Sequence, residues 1–116
     1  MTTEFTIDAA GKSLGRVASE AAKMLMGKTL PDYVPNKRSD TRVKITNAKK
    51  ISMPDRKKTQ KTYTTYTGYP GGKRTESFRM LRDRRGAAEP LRRAVERMLP
   101  RNTLRNARMK SLEISE

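Results

Sequence analysis

Thr62 to Arg74 reads Thr-Tyr-Thr-Thr-Tyr-Thr-Gly-Tyr-Pro-Gly-Gly-Lys-Arg, which places the rings of Tyr63, Tyr66 and Tyr69 beside the bare amides of Gly68, Gly71 and Gly72 and the cations Lys73 and Arg74. Amides and cations suit phosphate oxygens, and tyrosine rings suit unstacked bases. The chemistry open to this stretch is therefore the holding of a phosphate backbone with exposed bases. The plainer reading is a hairpin-like turn on a basic protein, since tyrosine and threonine also fill ordinary strands. Alternation of Tyr63, Thr65 and Thr67 against Thr64 and Tyr66 predicts a half-buried strand, and Gly68, Pro70, Gly71 and Gly72 force irregular backbone after it.

A second group is Gly11-Lys12-Ser13, set between a predicted strand and a predicted helix. It matches the last three positions of a P-loop, but the first glycine of that motif falls on Thr6, so no glycine cradle for a nucleotide forms. What survives is a helix N-terminus with Lys12 and Arg16 within one turn, a local anion site.

The elements that must position these groups follow from periodicity. Phe5 and Ile7 alternate in a short strand from Glu4 to Ala9, ended by a turn that Asp8 starts. Ser13 stands as an N-cap before Leu14, Val17, Ala18, Ala21 and Leu25, the face of a helix that stops at Gly27. Lys28 to Asp40 is a loop broken by Pro31 and Pro35, tethered by Tyr33 and Val34 and exposing Lys37 and Arg38. Arg42 to Thr46 is a strand with Val43 and Ile45 inward and a cationic outer side. A shorter extended piece surrounds Ile51, and Pro54-Asp55 turns into Arg56-Lys57-Lys58.

Ser77 caps a helix carrying Phe78 and Leu81 that stops at Gly86. Glu89-Pro90 opens another, with Leu91, Ala94, Val95 and Met98 as its buried stripe and Arg92, Arg93 and Arg97 facing away. Pro100 ends it, Arg101, Arg105, Arg108 and Lys110 follow, and Ser111 to Ser115 closes the chain as a strand around Leu112 and Ile114. This alternation predicts an α/β layer fold with a mainly parallel sheet and extended basic loops, as one domain over residues 1–116.

Charge is the strongest global signal. The chain has 116 residues, 27 Lys and Arg against 12 Asp and Glu, and a formal net charge of +15. Lys37 to Lys61 alone holds ten cations against two acids, and Lys73 to Lys110 holds thirteen, mostly arginine, against four. Arginine forks phosphate and stacks on bases, so nucleic acid is the leading partner. Lys37, Arg38, Lys57, Lys58, Lys61, Tyr66, Arg74, Arg97, Arg105 and Arg108 are candidate contacts from charge and spacing.

The same inventory excludes other classes. Cysteine and histidine are absent, which removes thiolates, imidazole bases and nearly every transition-metal site. The carboxylate pairs Asp8 with Asp32 and Asp40 with Asp55 have no supporting motif, so neither catalysis nor a cofactor is expected. No amphipathic basic helix with aromatic anchors points to a membrane, and Met1 to Phe5 carries an acid where a targeting peptide would be basic. A free-standing DNA binder would need a recognition helix or a dimer-forming stripe, and neither stands out. No homo-oligomer is expected.

Four segments carry a family resemblance: Asp8-Ala-Ala-Gly-Lys-Ser-Leu-Gly-Arg16-Val-Ala-Ser, Asp32-Tyr-Val-Pro35, Thr67-Gly-Tyr-Pro-Gly-Gly-Lys73, and Ala94-Val-Glu-Arg-Met-Leu-Pro-Arg101. In that order and spacing, from about Ile7 to Ile114, the chain resembles large ribosomal subunit protein thirteen of the universal set, in its bacterial form. The resemblance implies a three-layer α/β/α fold with a four-stranded parallel sheet. It also implies a cytoplasmic, non-catalytic, early-assembling component of the ribosome that lies in large-subunit ribosomal RNA among neighbouring large-subunit proteins. Family RNA contacts fall on Lys12, Arg16, Gly68, Tyr69, Gly71, Gly72, Lys73 and Arg101. The chain departs from the pattern at Tyr66, where a histidine is usual, and at Arg105-Asn106, where Gly-Arg is usual. Members usually carry a longer amino-terminal lead and carboxyl-terminal tail.

Overall fold

In the computed structural model, which describes residues 3–38 and 40–116, the stripe Leu14, Val17, Ala18, Ala21, Ala22 and Leu25 is buried along one helix. The elements in chain order are β1 (Thr3–Asp8), α1 (Leu14–Met26), β2 (Thr41–Thr46), α2 (Asp55–Gln60), β3 (Thr62–Tyr66), β4 (Lys73–Ser77), α3 (Phe78–Arg85), α4 (Ala88–Met98), α5 (Leu104–Met109) and β5 (Leu112–Ile114). Met1, Thr2 and Ser39 lie outside the described residues, and with them the start of the Met1 to Phe5 reading and one residue of the proline-broken loop.

The sheet is parallel, in the order β1-β2-β5. Its register sets Ile7, Ile45 and Ile114 in one row and Phe5, Val43 and Leu112 in the next. Successive side chains of a strand point to opposite faces, so these rows share a face, which packs on α1. The other face carries Glu4, Thr6, Arg42, Lys44 and Glu113, all exposed, with Glu4 beside Arg42 and Lys44 beside Glu113. The described chain thus covers one face of the sheet, where a three-layer fold covers both.

The mainly parallel α/β class holds, and among the described residues the sheet has three strands where the resemblance implies four. Thr62–Tyr66 pairs antiparallel with Lys73–Ser77 as a separate two-stranded ribbon. The stretch around Ile51 is a 3-10 turn at Ala48–Lys50 followed by one parallel bridge, Ser13 with Ser52. Lys49 and Lys50 in that turn leave the piece no apolar partner row to extend.

Two further expectations change. Pro54-Asp55 begins the helix α2 rather than a basic loop, with Asp55 in its first turn beside the positive end of the helix. The last basic segment, which the sequence leaves open between a helical turn and a loop, forms the helix α5 and buries Arg108 and Met109. Helix α4 runs from Ala88, so Pro90 is its third residue, still within the first turn where the missing N–H has no intrahelical role.

Helix α1 packs against β1, β2, α4 and α5, and Leu91 and Val95 of α4 complete the buried cluster. Since Leu91 is wholly buried, Leu91→Ala is expected to cost about 2–5 kcal/mol by the lost transfer energy and the cavity left behind. That is a large part of the roughly 5–15 kcal/mol typical of a domain. Urea denaturation with an unchanged m-value and a lowered midpoint would show it.

Candidate nucleic-acid interface

The ribbon β3–β4 is anchored at its base and bare at its tip. Tyr63, facing Glu76 across the ribbon, is 3% exposed, whereas Thr64 to Gly71 are all exposed. At the base Phe78 N–H donates to the Lys61 carbonyl at 2.9 Å, and Arg84 Nη2 donates to Glu76 Oε2 at 2.9 Å. The half-buried strand expected from alternation is therefore buried at one residue only, because the ribbon leaves the body after it.

The tip is ordered by its own backbone. Thr67 N–H donates to the Gly72 carbonyl at 3.0 Å, and Gly72 N–H donates to the Tyr69 carbonyl at 2.9 Å. Gly68 and Gly71 take positive φ, 87° and 74°, where other residues are strained. A Cβ on Gly72 would fall on Thr67 Oγ1 and lie 2.9 Å from the Tyr69 carbonyl oxygen. Tyr66 and Tyr69 are 74% and 80% exposed, and Lys73 and Arg74 stand opposite Tyr66 and Thr65 in the register. Both readings of this stretch meet here: it is a hairpin, and its tip presents open rings and cations, while the Gly72 amide expected to be bare is taken by the Tyr69 carbonyl.

The turn into α1 is held rigidly. Asp8 Oδ1 accepts Ala10 N–H at 3.0 Å and Asn47 Nδ2 at 2.9 Å, Gly11 N–H donates to the Lys50 carbonyl, and Ser52 N–H donates to the Lys12 carbonyl. The hydrogen bond from Asn47, and then that from Ala10, holds the Asp8 carboxyl below its ordinary range. Asp8 is a turn residue here. Ser13 occupies the N-cap position without a side-chain cap bond, and a parallel bridge ties it to Ser52. Lys12 lies 3.9 Å from Glu20 in an exposed pair, which contributes little, and Arg16 is exposed in the first turn.

Tyr63 gathers cations that sequence reading left apart. Lys61 Nζ, Arg93 Cζ and Arg97 Cζ lie 5.7, 5.5 and 5.8 Å from its ring centroid, within cation–π reach. Burial, then Lys57 and Arg97, holds the Lys61 ammonium below its ordinary value, and burial raises the Tyr63 phenol. The Tyr63 hydroxyl is buried with no hydrogen-bond partner among the described residues, a condition that costs about 1–3 kcal/mol. The spacing of Arg93 and Arg97 on α4 was a readable signal for the cation pair; the ring between them was not.

The remaining candidates scatter. Lys57 and Lys58 sit on α2, with Lys58 Nζ 3.4 Å from Asp55. Lys37 and Arg38 line a cleft of about 330 Å³ with Met26 and Gly27, at the other end of α1, roughly 20 Å from Lys12 by the helix rise. Arg38 Nη2 donates to Ser111 Oγ at 2.8 Å. Arg101 is exposed and Arg105 half-buried. Arg108 is 3% exposed. Its side chain belongs to the interior, which corrects the reading of it as a phosphate contact: the α5 helix turns position 108 inward beside Met109.

Among the described residues no cluster of acidic, histidine or cysteine side chains could hold a metal ion, and no helix is long and apolar enough to cross a membrane. What the fold presents is a cationic α/β protein with an open aromatic hairpin, of the class that ribosomal proteins occupy. The family model described as Ribosomal protein L13 matches residues 2–116, and the chain belongs to that family. It is 43% identical over 108 residues to the large ribosomal subunit protein uL13 of Borrelia turicatae, covering 93% of this chain and 72% of that one. It is 42% identical over 111 residues to the uL13 protein of Rubrobacter xylanophilus and 39% over 110 residues to that of Aquifex aeolicus, each match covering 95% of this chain and 76% of the relative. The family is a structural constituent of the large subunit and not an enzyme.

Two outcomes follow from this geometry. Gly72→Ala is expected to break the hydrogen bonds from Thr67 N–H to the Gly72 carbonyl and from Gly72 N–H to the Tyr69 carbonyl, speeding amide exchange at positions 67 and 72 while the midpoint of global unfolding stays unchanged, because the tip makes no core contact. Arg84, through its hydrogen bond, holds Glu76 below the ordinary carboxylate range, as Asn47 does Asp8. A depressed folded-state pKa stabilises above the unfolded-state value and is lost as pH falls through the folded one. The melting temperature is expected to be level from pH 7 to about 5 and to fall below about pH 4, and less steeply in Glu76→Gln.

Proposed function

We propose that this chain binds and organises large-subunit ribosomal RNA by neutralising phosphates and inserting the β3–β4 hairpin among RNA segments, and that it joins the subunit early in assembly. The observation that carries the reading is the hairpin tip. Two almost wholly exposed tyrosines, glycine amides and the pair Lys73 and Arg74 project from a body whose core has no such rings to spare. Exposed rings of this kind suit bases splayed from single-stranded or bulged RNA, and the cations suit its backbone.

The second contact area is the turn before α1 with Lys12 and Arg16, joined by Lys57, Lys58, Lys61 and Arg97. Arg101 and Arg105 extend it along the chain. Lys37 and Arg38, at the far end of α1, reach a separate RNA segment or a neighbouring ribosomal protein, so one domain ties several partners together. A ribosomal component of this kind is cytoplasmic in bacteria and works as a single copy.

Sedimentation of cell lysate through sucrose gradients tests the assignment: the chain is expected with the large subunit at low and high salt, and free protein at the top of both gradients would overturn it. Binding to large-subunit RNA fragments is expected to weaken with salt in proportion to the phosphates engaged. Lys73→Gln is expected to lower the slope of log K against log salt by about 0.7–0.9. A binding constant indifferent to salt would overturn the reading. In pulse-labelled cells the chain is expected already in early precursor particles.

A further inference from the structure

A cavity of about 190 Å³ opens beside Tyr63, walled by Leu14 and Gly15 of the first turn of α1, Lys57 of α2, Lys61, and Arg97 and Met98 of α4. Three cations line it and no carboxylate does. Arg93, the other cation over the Tyr63 ring, is already engaged by Glu89 at 3.2 Å, whereas none of Lys57, Lys61 and Arg97 has an ion-pair partner among the described residues.

Two independent features of this wall want an acceptor. The first turn of α1 has no side-chain cap and no acidic residue, so beyond the Ser13–Ser52 bridge the positive end of a 13-residue helix is left without a counter-charge on its own turn. Of the three buried side-chain polar atoms without a partner among the described residues, only the Tyr63 hydroxyl belongs to a residue that lines this cavity. Like charges held together with a buried orphan donor are unfavourable until an anion joins them.

We propose that this cavity seats one phosphate group, with Lys57, Lys61 and Arg97 as counter-charges and the Tyr63 hydroxyl and the first amides of α1 as hydrogen-bond donors. A tetrahedral oxyanion, with acceptors on several sides, suits donors converging from a helix end, a strand and two further helices better than a planar carboxylate does. The seat takes either a phosphodiester of an RNA backbone or a free phosphate. The inference deepens the RNA-binding reading by naming one discrete contact within it, and Tyr63, buried as it is, becomes a binding residue.

The test is the thermal unfolding of the full chain in inorganic phosphate against sodium chloride of equal ionic strength, with RNA-fragment binding measured on the same samples. Phosphate is expected to raise the melting temperature beyond chloride. Tyr63→Phe, which removes only the hydroxyl, and Arg97→Gln are expected to lose most of that excess, while Lys23→Gln, at the other end of α1, keeps it. No excess over chloride, or an excess kept intact in both Tyr63→Phe and Arg97→Gln, overturns the seat. If phosphate competes with RNA and both variants bind RNA more weakly, the occupant is the RNA backbone; if the variants lose the phosphate effect and bind RNA as before, it is free phosphate. A wild-type chain that shows the phosphate effect and binds no RNA sinks the RNA reading and leaves the seat standing, and RNA binding without a phosphate effect does the reverse.

Discussion

The burial of α1 is the constraint on which the rest depends. Its buried stripe is half alanine, Ala18, Ala21 and Ala22 among Leu14, Val17 and Leu25, and small side chains let the sheet and α4 approach the helix closely on two sides. Each large residue in the stripe contributes about 1.5–3 kcal/mol by transfer from water. The chain has two phenylalanines and no tryptophan, so few other residues supply comparable burial. Helix α1 also has exposed cationic groups at its two ends, Lys12 and Arg16 at one and the Lys37–Arg38 loop at the other, and its length sets their separation.

Against that small core stands a charge of +15. Several of the few carboxylates serve as local ties: Asp8 on Asn47 and the Ala10 amide, Glu76 on Arg84, Glu89 on Arg93, and Glu116 on Lys49 and the Ala87 amide. Each tie joins two segments of chain or steadies one turn, and the surplus of lysine and arginine is left facing outward. Such a surplus repels itself in the isolated chain. A polyanion that binds only the folded form adds stability by mass action.

The hairpin is the other consequence of sparing the core. A radius of gyration of 15.2 Å exceeds the roughly 13.4 Å of a compact chain of this length, in keeping with a ribbon that projects. Its tip spends two of the six aromatic residues on solvent, which a fold under pressure for stability alone would turn inward.

Periodicity in the sequence determined α1, β1, β2, β5 and the Leu91–Val95 part of the α4 stripe, because one buried face imposes a 3.6 or 2.0 repeat that composition cannot hide; it also counted Met98, which is 43% exposed. It also determined the cationic outer side of β2, the glycine-rich tip and the positive surface. Tertiary structure decided what periodicity does not encode. The threonines of β3 pair equally well with any strand, and only the return of Lys73–Ser77 made a ribbon of them in place of a fourth parallel strand. Arg108 reads as one more exposed cation until the packing of α5 turns it inward. Tyr63 looks like Tyr66 and Tyr69 in the sequence, yet burial and three cations from a strand end and α4 set it apart, since residues 61, 93 and 97 meet around one ring only when the chain has folded.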